Sequence, residues 1–212
     1  MQVQKEEIRD EILKVATKEF LKKGFNASSM RMIAKKANTT LGNLYNYFES
    51  KESILDAIVE DLPQKLDAML KVHRKRTLGR WNIVEELGIE EATKEITREV
   101  LLDELYYEEL LNYPFIILME GCSDTKYEAY REQFGEMITD HAREHLDEMM
   151  PHHNNEFLSK AMGQSFLSVL LFIGKNKKSV EEGKNELMRY VMSLITGIGA
   201  KGIIKDEDIG RK

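Results

Sequence analysis

The stretch from residue 28 to residue 55, SSMRMIAKKANTTLGNLYNYFESKESIL, constrains the fold most tightly, because its pattern predicts two short helices joined by a turn and then the start of a third helix. The apolar face of the first helix is formed by Met30, Ile33, Ala34 and Ala37, and Ser28 and Ser29 can supply its N-cap hydroxyl. Asn38 stands where this helix must end, and asparagine tolerates the left-handed conformation that a tight turn requires.

The second helix of this stretch is predicted to be only about two turns long, since Thr40 can cap it and its apolar residues are Leu44 and Phe48. A helix of that length buries too little surface to be stable alone. Neighbouring helices must therefore hold it, as they hold the second helix of a helix-turn-helix motif.

This stretch and the helix before it resemble the DNA-binding domain of the TetR family of bacterial and archaeal transcriptional regulators. The matching positions are Ala16, Phe20, Gly24, Phe25, Ser29, the segment IAKKA at 33–37, the segment GNLYNYF at 42–48, and Lys51-Glu52. The resemblance covers roughly the first quarter of the chain. It departs from the family at Asn38, where the family usually has glycine, and we interpret this as a tolerated substitution.

Composition favours an all-α protein, because only three prolines and thirteen glycines interrupt 212 residues that are rich in helix formers. With the resemblance, this predicts a three-helix DNA-binding head with a helix-turn-helix at 1–50. A larger helical body for ligand binding and dimerisation is expected at 51–204, followed by a tail at 205–212. About nine helices are expected in total.

The charge of the chain is unevenly distributed, although its net charge of -6 is unusual for a protein that binds DNA. Residues 1–55 carry ten Lys or Arg and seven Asp or Glu, a balance of +3. The remainder of the chain carries 21 and 30, a balance of -9. A mildly basic head on an acidic body is typical of a protein that contacts phosphates at one end, but ordinary surface variation gives the same difference.

A cytoplasmic location is expected, because the single Cys122 excludes an intramolecular disulfide and no signal peptide is recognisable. No apolar run approaches the roughly 20 residues that span a bilayer, so no membrane partner is predicted. No cofactor is predicted either. A buried structural thiol is the expected state of Cys122.

The resemblance implies a double-stranded DNA operator as partner, read by the second short helix in the major groove. The groove-facing residues would be Thr39, Thr40, Leu41, Gly42 and Asn43, with Tyr45 and Asn46 beside them. Phosphate contacts are predicted for Ser28, Ser29, Tyr47 and Lys51, and rim contacts for Arg31 and Lys36. For Tyr45 and Tyr47, packing against neighbouring helices is the alternative.

The remaining helices follow from periodicity and stop signals. One helix is predicted before the motif at 6–23, one from Ser50 with a kink or break just before Pro63, and others at 89–111, 115–122, about 124–150, 155–173 and 179–198. Ser179 and Glu182 have the spacing of a capping box for the last of these.

The two C-terminal helices are predicted to form a homodimer through a four-helix interface, as the resemblance also implies. The expected interface residues are Leu158, Met162, Ser165, Phe166, Val169, Leu187, Tyr190, Val191, Leu194, Ile195 and Ile198. The small residues Gly163, Ser165 and Ser168 would permit close helix contact. Alternatively, both stripes are part of the core of one chain.

A small-molecule inducer is the second expected partner, since the resemblance implies a ligand pocket inside the helical body. The predicted lining is Tyr106, Tyr113, Phe115, Met119, Tyr127, Tyr130, Phe134, Met137, His141, His145, Met162 and Phe166. Eleven methionines suit an adaptable lining. The alternative is that these residues are ordinary core.

The sequence HAREH at 141–145 has the HxxEH pattern of some zinc proteases and would place two imidazoles and a carboxylate side by side on a helix. Because so short a pattern is common by chance, no metal site is assigned, and His141, His145 and Glu148 are kept only as candidates for a regulatory metal.

These features together predict a DNA-binding transcriptional regulator that is not an enzyme. It would be a repressor that leaves a pseudo-palindromic operator when a small-molecule ligand binds. The alternatives are a metal- or corepressor-responsive regulator of the same fold, a zinc-dependent hydrolase that uses the HxxEH pattern, and a helical dimer that acts through protein contacts.

Overall fold

The computed structural model describes residues 2–78 and 104–199, together with the single positions 86 and 91. These residues form ten helices and no strand. The helices are α1 (Gln2–Lys23), α2 (Met30–Lys36), α3 (Leu41–Tyr45), α4 (Lys51–Val59), α5 (Leu62–Thr77), α6 (Glu104–Leu111), α7 (Tyr113–Glu120), α8 (Tyr130–Met149), α9 (Glu156–Asn176) and α10 (Val180–Gly199). The all-α prediction is confirmed.

The helix predicted from Ser50 is divided at Pro63, as its sequence indicates. α4 ends at Val59 and α5 begins at Leu62, so Pro63 occupies the second position of the new helix. Proline is tolerated there because the first amide groups of a helix have no partner within the helix. This division yields ten described helices where about nine are expected.

The described helices pack into two compact units. The first contains α1 to α4, α5 as far as Met69, α7, and α8 as far as Met137. The second contains the rest of α5, the rest of α8, α9, α10 and α6 as far as Glu108, and the last residues of α6 belong to the first unit. The head helices therefore share their unit with α7, whereas the sequence places the head boundary at residue 50.

The first unit is built around α7, whose residues 115 to 119 are all buried. Phe115 contacts Phe134 edge to face, with 5.6 Å between ring centroids. Asn112 caps α7 by accepting a hydrogen bond from the Phe115 amide, and Cys122 lies buried just after it. The short-helix prediction for 115–122 is confirmed, although the helix begins two residues earlier.

The helix predicted at about 124–150 begins later than the sequence indicates. Residues 123–129 form turns, with Asp124 at φ 58°, and α8 starts only at Tyr130. Tyr127 therefore does not continue the helical face of α8. Its hydroxyl instead donates a hydrogen bond to Asp56, 3.0 Å away, within the same unit.

The second unit buries a different face of α9 from the predicted stripe. The buried residues of this helix are Ser159, Gly163, Leu167, Leu170, Leu171 and Gly174. Gly163 permits the close approach of α8, because a Cβ there would lie 3.0 Å from the Thr139 Cα and would also meet its side chain. Ser165 and Ser168 are exposed within the chain, so their role in close helix contact stays a prediction.

The capping box predicted at the start of α10 is half formed. Ser179 accepts a hydrogen bond from the Glu182 amide at 3.1 Å, but the Glu182 carboxylate accepts from the Lys178 amide, one residue before the cap. Of the helix predicted at 89–111 only α6 is described, and the tail at 205–212 lies outside the described residues.

Candidate nucleic-acid interface

The turn between α2 and α3 is a Schellman motif with asparagine in the position that glycine usually occupies. Asn38 has φ 51°, and its amide donates to the Lys35 carbonyl at 3.4 Å. The Thr39 amide donates to the Ala34 carbonyl at 3.0 Å, which satisfies a second carbonyl at the end of α2. The prediction that Asn38 tolerates the left-handed turn is confirmed.

Both short helices begin with a hydroxyl cap. The Ser29 hydroxyl accepts from the Met32 amide, and the Thr40 hydroxyl accepts from the Asn43 amide at 3.1 Å. Leu44 is fully buried beneath α3 and anchors it to the first unit. A five-residue helix is held in this way by its cap and one apolar side chain, as its length requires.

The outer surface of this motif carries most of the predicted DNA contacts. The exposed members are Ser29, Arg31, Lys36, Thr40, Gly42, Tyr45 and Asn46, and the half-buried members are Thr39, Leu41, Asn43, Tyr47 and Lys51. Tyr45 exposes 49% of its surface, which is unusual for so large an aromatic residue. Its predicted alternative, packing against a neighbouring helix, is at most partial.

Asn43 is oriented by Thr39, the residue just before the cap of α3. Its side-chain amide nitrogen donates a hydrogen bond to the Thr39 hydroxyl at 2.8 Å. This contact fixes the rotamer of a side chain that would otherwise be free to turn. It leaves the carbonyl oxygen and one N–H of Asn43 for a base edge, the pairing that suits adenine.

Two predicted phosphate contacts have structural partners instead. Ser28 is buried, and its hydroxyl donates to the Gly24 carbonyl at 2.8 Å. Lys51 donates to the carbonyls of Phe25 and Ser28 at 2.7 and 3.0 Å, and its ammonium lies 4.1 Å from the centre of the Phe25 ring. These groups hold the α1–α2 connection in place, so their contact with phosphates stays a prediction that competes with this structural role.

Lys36 is tied to α1 by a buried carboxylate. Its ammonium pairs with Glu19, which is 3% exposed and also lies 3.5 Å from Lys23. The hydrogen bond from Lys36 is the main cause that lowers the pKa of Glu19, so this carboxylate is ionised at neutral pH. This pairing explains why an acidic residue interrupts the apolar face of α1.

The fold and this surface define a class of protein: a helical protein whose N-terminal helix-turn-helix presents a short, capped helix and a rim of polar and basic side chains. The comparisons with known proteins specify the family. Residues 12–58 match the model described as bacterial regulatory proteins of the tetR family. Residues 12–58 of this chain are thus similar to the N-terminal DNA-binding segment of that family. Regulators of this family bind DNA operators and usually act as dimers.

The similar curated proteins match a short part of this chain. The uncharacterized transcriptional regulator YhgD of Bacillus subtilis is 36% identical over 64 residues, which are 28% of this chain and 34% of YhgD. The transcriptional repressor KstR2 of Mycolicibacterium smegmatis is 38% identical over 53 residues, 25% of this chain and 26% of KstR2. The matched segment thus spans about a third or less of these relatives.

A solved structure extends the likeness of the fold to the body. The ketosteroid transcriptional regulator KstR2 of Mycobacterium tuberculosis aligns with 89% of this chain and 93% of its own, at a TM-score of 0.58 and 18% identity. At this identity the likeness concerns the fold alone.

The residues predicted to line a ligand pocket divide between the two units. Those of the first unit include Phe115, Met119 and Phe134, which are buried core, and Tyr113, which is 55% exposed. The Tyr130 hydroxyl donates to Asp67 at 2.9 Å. Those of the second unit are His141, His145, Met162 and Phe166. The side chain of Tyr106 lies outside the described residues. The pocket stays a prediction.

A cavity of about 440 Å³ in the second unit has a different lining. It is bounded by Arg143, Asp147, His153, Asn154, Asn155, Glu156 and Lys160, none of which is among the predicted pocket residues.

The two predicted histidines, His141 and His145, lie together on α8, and a third histidine from α5 contacts them. His73, on α5, contacts His141 edge to face at 4.8 Å between ring centroids. Burial is the main cause that lowers the pKa of all three rings, to about 4 for His73 and His145, and these imidazoles are therefore uncharged at neutral pH. The sequence analysis missed His73, because no local signal shows that this residue of α5 lies beside two residues of α8 about seventy positions later.

The HxxEH pattern is helical, but its carboxylate is already engaged. The Arg74 guanidinium pairs with Glu144. A carboxylate paired with an arginine is not free to activate water as the general base of a hydrolytic metal site. Glu148, the other candidate ligand, is exposed.

The predicted interface residues are divided by their burial within one chain. Leu187 is buried and belongs to the core of the second unit, whereas Leu158 and Ser165 are exposed and the others described are half-buried. The side chains of Ile195 and Ile198 lie outside the described residues. Phe157 and Phe172 are strongly exposed on α9 and were not predicted.

Proposed function

We propose that this chain is a cytoplasmic, DNA-binding transcriptional regulator that binds an operator through α3. The observation that carries the proposal is the capped α2–turn–α3 motif with an exposed polar outer surface. A helix-turn-helix needs both a rigid recognition helix and side chains that are free to meet base edges. The family of the N-terminal domain supports the same function.

Tyr45 provides the sharpest test of this surface. Duplex DNA from the promoter region nearest the gene is titrated with protein at two stated salt concentrations, and Tyr45→Ala is compared with Tyr113→Ala. The two tyrosines have similar exposure, 49% and 55%, but only Tyr45 lies in the motif.

Loss of a DNA contact by Tyr45→Ala should weaken specific binding by about tenfold to a hundredfold, and Tyr113→Ala should bind like the parent. Equal binding by parent and Tyr45→Ala would remove Tyr45 from the interface. If a selection from genomic fragments also returned no preferred site for the parent, the operator function itself would be wrong.

We further propose that the protein is a homodimer through α9 and α10, which lets two heads meet a pseudo-palindromic operator. Phe157 and Phe172 expose large apolar surfaces on α9. By length and composition this helix is also apolar enough to cross a membrane, and it is the only such helix among the described residues. Dimer burial accounts for that apolar surface in a DNA-binding protein.

The oligomeric state tests this arrangement. Leu158→Glu places a charge on the proposed interface, and Val72→Glu places one on α5, at an almost equal exposure of 41% and 43%. Sedimentation equilibrium should give a dimer for the parent and Val72→Glu, and a monomer for Leu158→Glu. A monomeric parent would refute the interface.

The effector of the proposed regulator is a small molecule, and the expected outcome of its binding is release of the operator. Support comes from the resemblance of the head to a family of ligand-responsive regulators. The ligand must bind the DNA-free arrangement more tightly than the DNA-bound one for release to follow. A compound screen read out by loss of DNA binding tests this, and a compound that binds without changing DNA affinity would not be the effector.

A further inference from the structure

Three histidines converge in the second unit from two helices that are far apart in sequence. His73 lies on α5, and His141 and His145 lie one turn apart on α8. One ring nitrogen of each lies within 4.8 Å of those of the other two, and no other such group of potential metal ligands occurs among the described residues. The Nε2 atoms of His141 and His145 are 3.1 Å apart.

This spacing is that of ligands around a small metal ion. A tetrahedral Zn²⁺ with Zn–N bonds of about 2.0–2.1 Å separates its nitrogen ligands by about 3.3 Å. The pair on α8 already has this separation. The imidazole of His73 needs a movement of about 1.5 Å at most, which a change of rotamer within its well supplies.

The surroundings also suit metal ligation. The other ring nitrogen of His141, Nδ1, is buried and has no hydrogen-bond partner among the described residues. It lies 3.9 Å from Oε2 of Glu144, which is also buried and also has no hydrogen-bond partner among the described residues. Metal-bound histidines commonly direct their second nitrogen at a carboxylate, which fixes the ring and raises its basicity. Coordination through Nε2 would direct the Nδ1 proton of His141 at Glu144.

The cluster is accessible to an ion although it is largely enclosed. His141 retains 12% of its side-chain exposure, and its two partners are half-buried. The Thr77 hydroxyl lies 3.2 Å from Nε2 of His145 and adds a polar group at the same place. An oxygen donor beside three imidazoles suits the water that completes such a site.

We propose that His73, His141 and His145 form a binding site for a divalent transition-metal ion of the zinc class, with water or a small ligand in the fourth position. Imidazole ligands suit Zn²⁺, Ni²⁺, Co²⁺ and Cu²⁺ better than Mg²⁺ or Ca²⁺. The third ligand is His73 and not Glu148, which the sequence analysis kept only as a candidate. The site goes beyond the proposed DNA-binding function, because metal binding is measured without DNA.

The test uses the full chain without an affinity tag, freed of metal by a chelator that is then removed. Zn²⁺ is titrated in competition with a chromophoric indicator, and Co²⁺ is titrated with its visible absorption as the readout. The variants are His73→Gln and His145→Gln. The five histidines offer a matched control, since the double variant His152→Gln and His153→Gln alters only the exposed pair.

The parent should bind one equivalent of Zn²⁺ and give the intense visible Co²⁺ bands of a four- or five-coordinate ion. Each cluster variant should weaken Zn²⁺ binding by at least about a hundredfold, and the control should bind like the parent. Equal affinity in the parent and both cluster variants would overturn the proposal, as would a parent that binds no more Zn²⁺ than His73→Gln.

X-ray absorption of the Zn²⁺-loaded parent keeps the test decisive if a variant fails to fold. Scattering from three imidazoles confirms the site. Scattering from one imidazole or none, or from sulfur, assigns the ion elsewhere and overturns the proposal. Both readouts are independent of DNA, so an absent operator would leave the metal site standing, and an absent metal would leave the operator standing.

Discussion

Replacing Lys51 by methionine separates a structural lysine from a phosphate-binding one. Methionine keeps most of the apolar stem and removes the ammonium, which contacts two carbonyls and one aromatic ring within the head. We expect a less stable head with an unchanged salt dependence of DNA binding. A phosphate contact would give the opposite pair of results.

The size of the stability change follows from three contributions. The two hydrogen bonds from a charged donor contribute about 1 kcal/mol each, at the low end because Lys51 is half-buried and water can replace it. The contact with the Phe25 ring adds about 0.5–1 kcal/mol. Lys51 is the first residue of α4, and a cation at a helix N-terminus costs about 0.5 kcal/mol. The free energy of unfolding should fall by about 2 kcal/mol.

Hydrogen exchange and DNA titration give the two readouts. The amides of the α1–α2 connection and α2 should exchange about thirtyfold faster in Lys51→Met, the equivalent of 2 kcal/mol. The slope of log K against log salt should stay unchanged. Arg31→Met is the contrasting variant, because Arg31 is exposed at the rim of the interface: its slope should become shallower by about 0.9 with unchanged exchange.

A shallower slope in Lys51→Met, together with a loss of stability below about 0.5 kcal/mol, would refute this reasoning. Lys51 would then reach the DNA phosphates in the complex, and its bonds to the carbonyls of Phe25 and Ser28 would be replaceable by water at little cost.

Three further predictions concern packing inside each unit. Glu19→Gln should lower the free energy of unfolding by about 1–2 kcal/mol at pH 7. Lys36 lowers the pKa of Glu19 below its usual 4.5, so this contribution to stability is present above pH 4.5 and is lost as the pH falls through the lower folded-state pKa. The free energies of unfolding of parent and variant, measured by urea titration, should therefore converge in acid. A difference that stays constant with pH would contradict this prediction. Leu44→Ala should cost about 2–5 kcal/mol and abolish DNA binding, and a variant as stable as the parent would show that α3 is held otherwise. Gly163→Ala should lower the free energy of unfolding by about 1–3 kcal/mol in thermal unfolding, although alanine has a better helix propensity than glycine. Gly42→Ala, with nothing within 4 Å of its new Cβ, should be neutral or stabilising. Equal effects of the two substitutions would contradict the close contact with α8.

Local sequence signals predicted the helix-turn-helix correctly. Caps at Ser29 and Thr40, the left-handed turn at Asn38 and the break at Pro63 depend on interactions between residues at most five positions apart, or on one residue's own backbone preference. Such signals are complete in the sequence, so the elements that carry them could be predicted from it.

Long-range partners were not predictable in the same way. Lys51 is a basic residue near a DNA-binding motif. Nothing in the adjacent sequence shows that its ammonium donates hydrogen bonds to two carbonyls more than twenty positions away. Which face of α9 is buried within the chain was not predictable for a related reason. That helix is apolar nearly all round, so periodicity alone does not say which face meets α8.

By itself, then, the sequence determined that the chain is all-α, that its head carries a TetR-type helix-turn-helix, and that two histidines share a face of one helix. The tertiary structure decided which lysines are already engaged, which face of α9 stays exposed, and that His73 completes the histidine cluster. The physical reason is that caps and turns are satisfied within a few residues. Charge pairs, ring contacts and metal sites instead join residues on different helices. The separation of those residues in sequence does not show how close they lie in space.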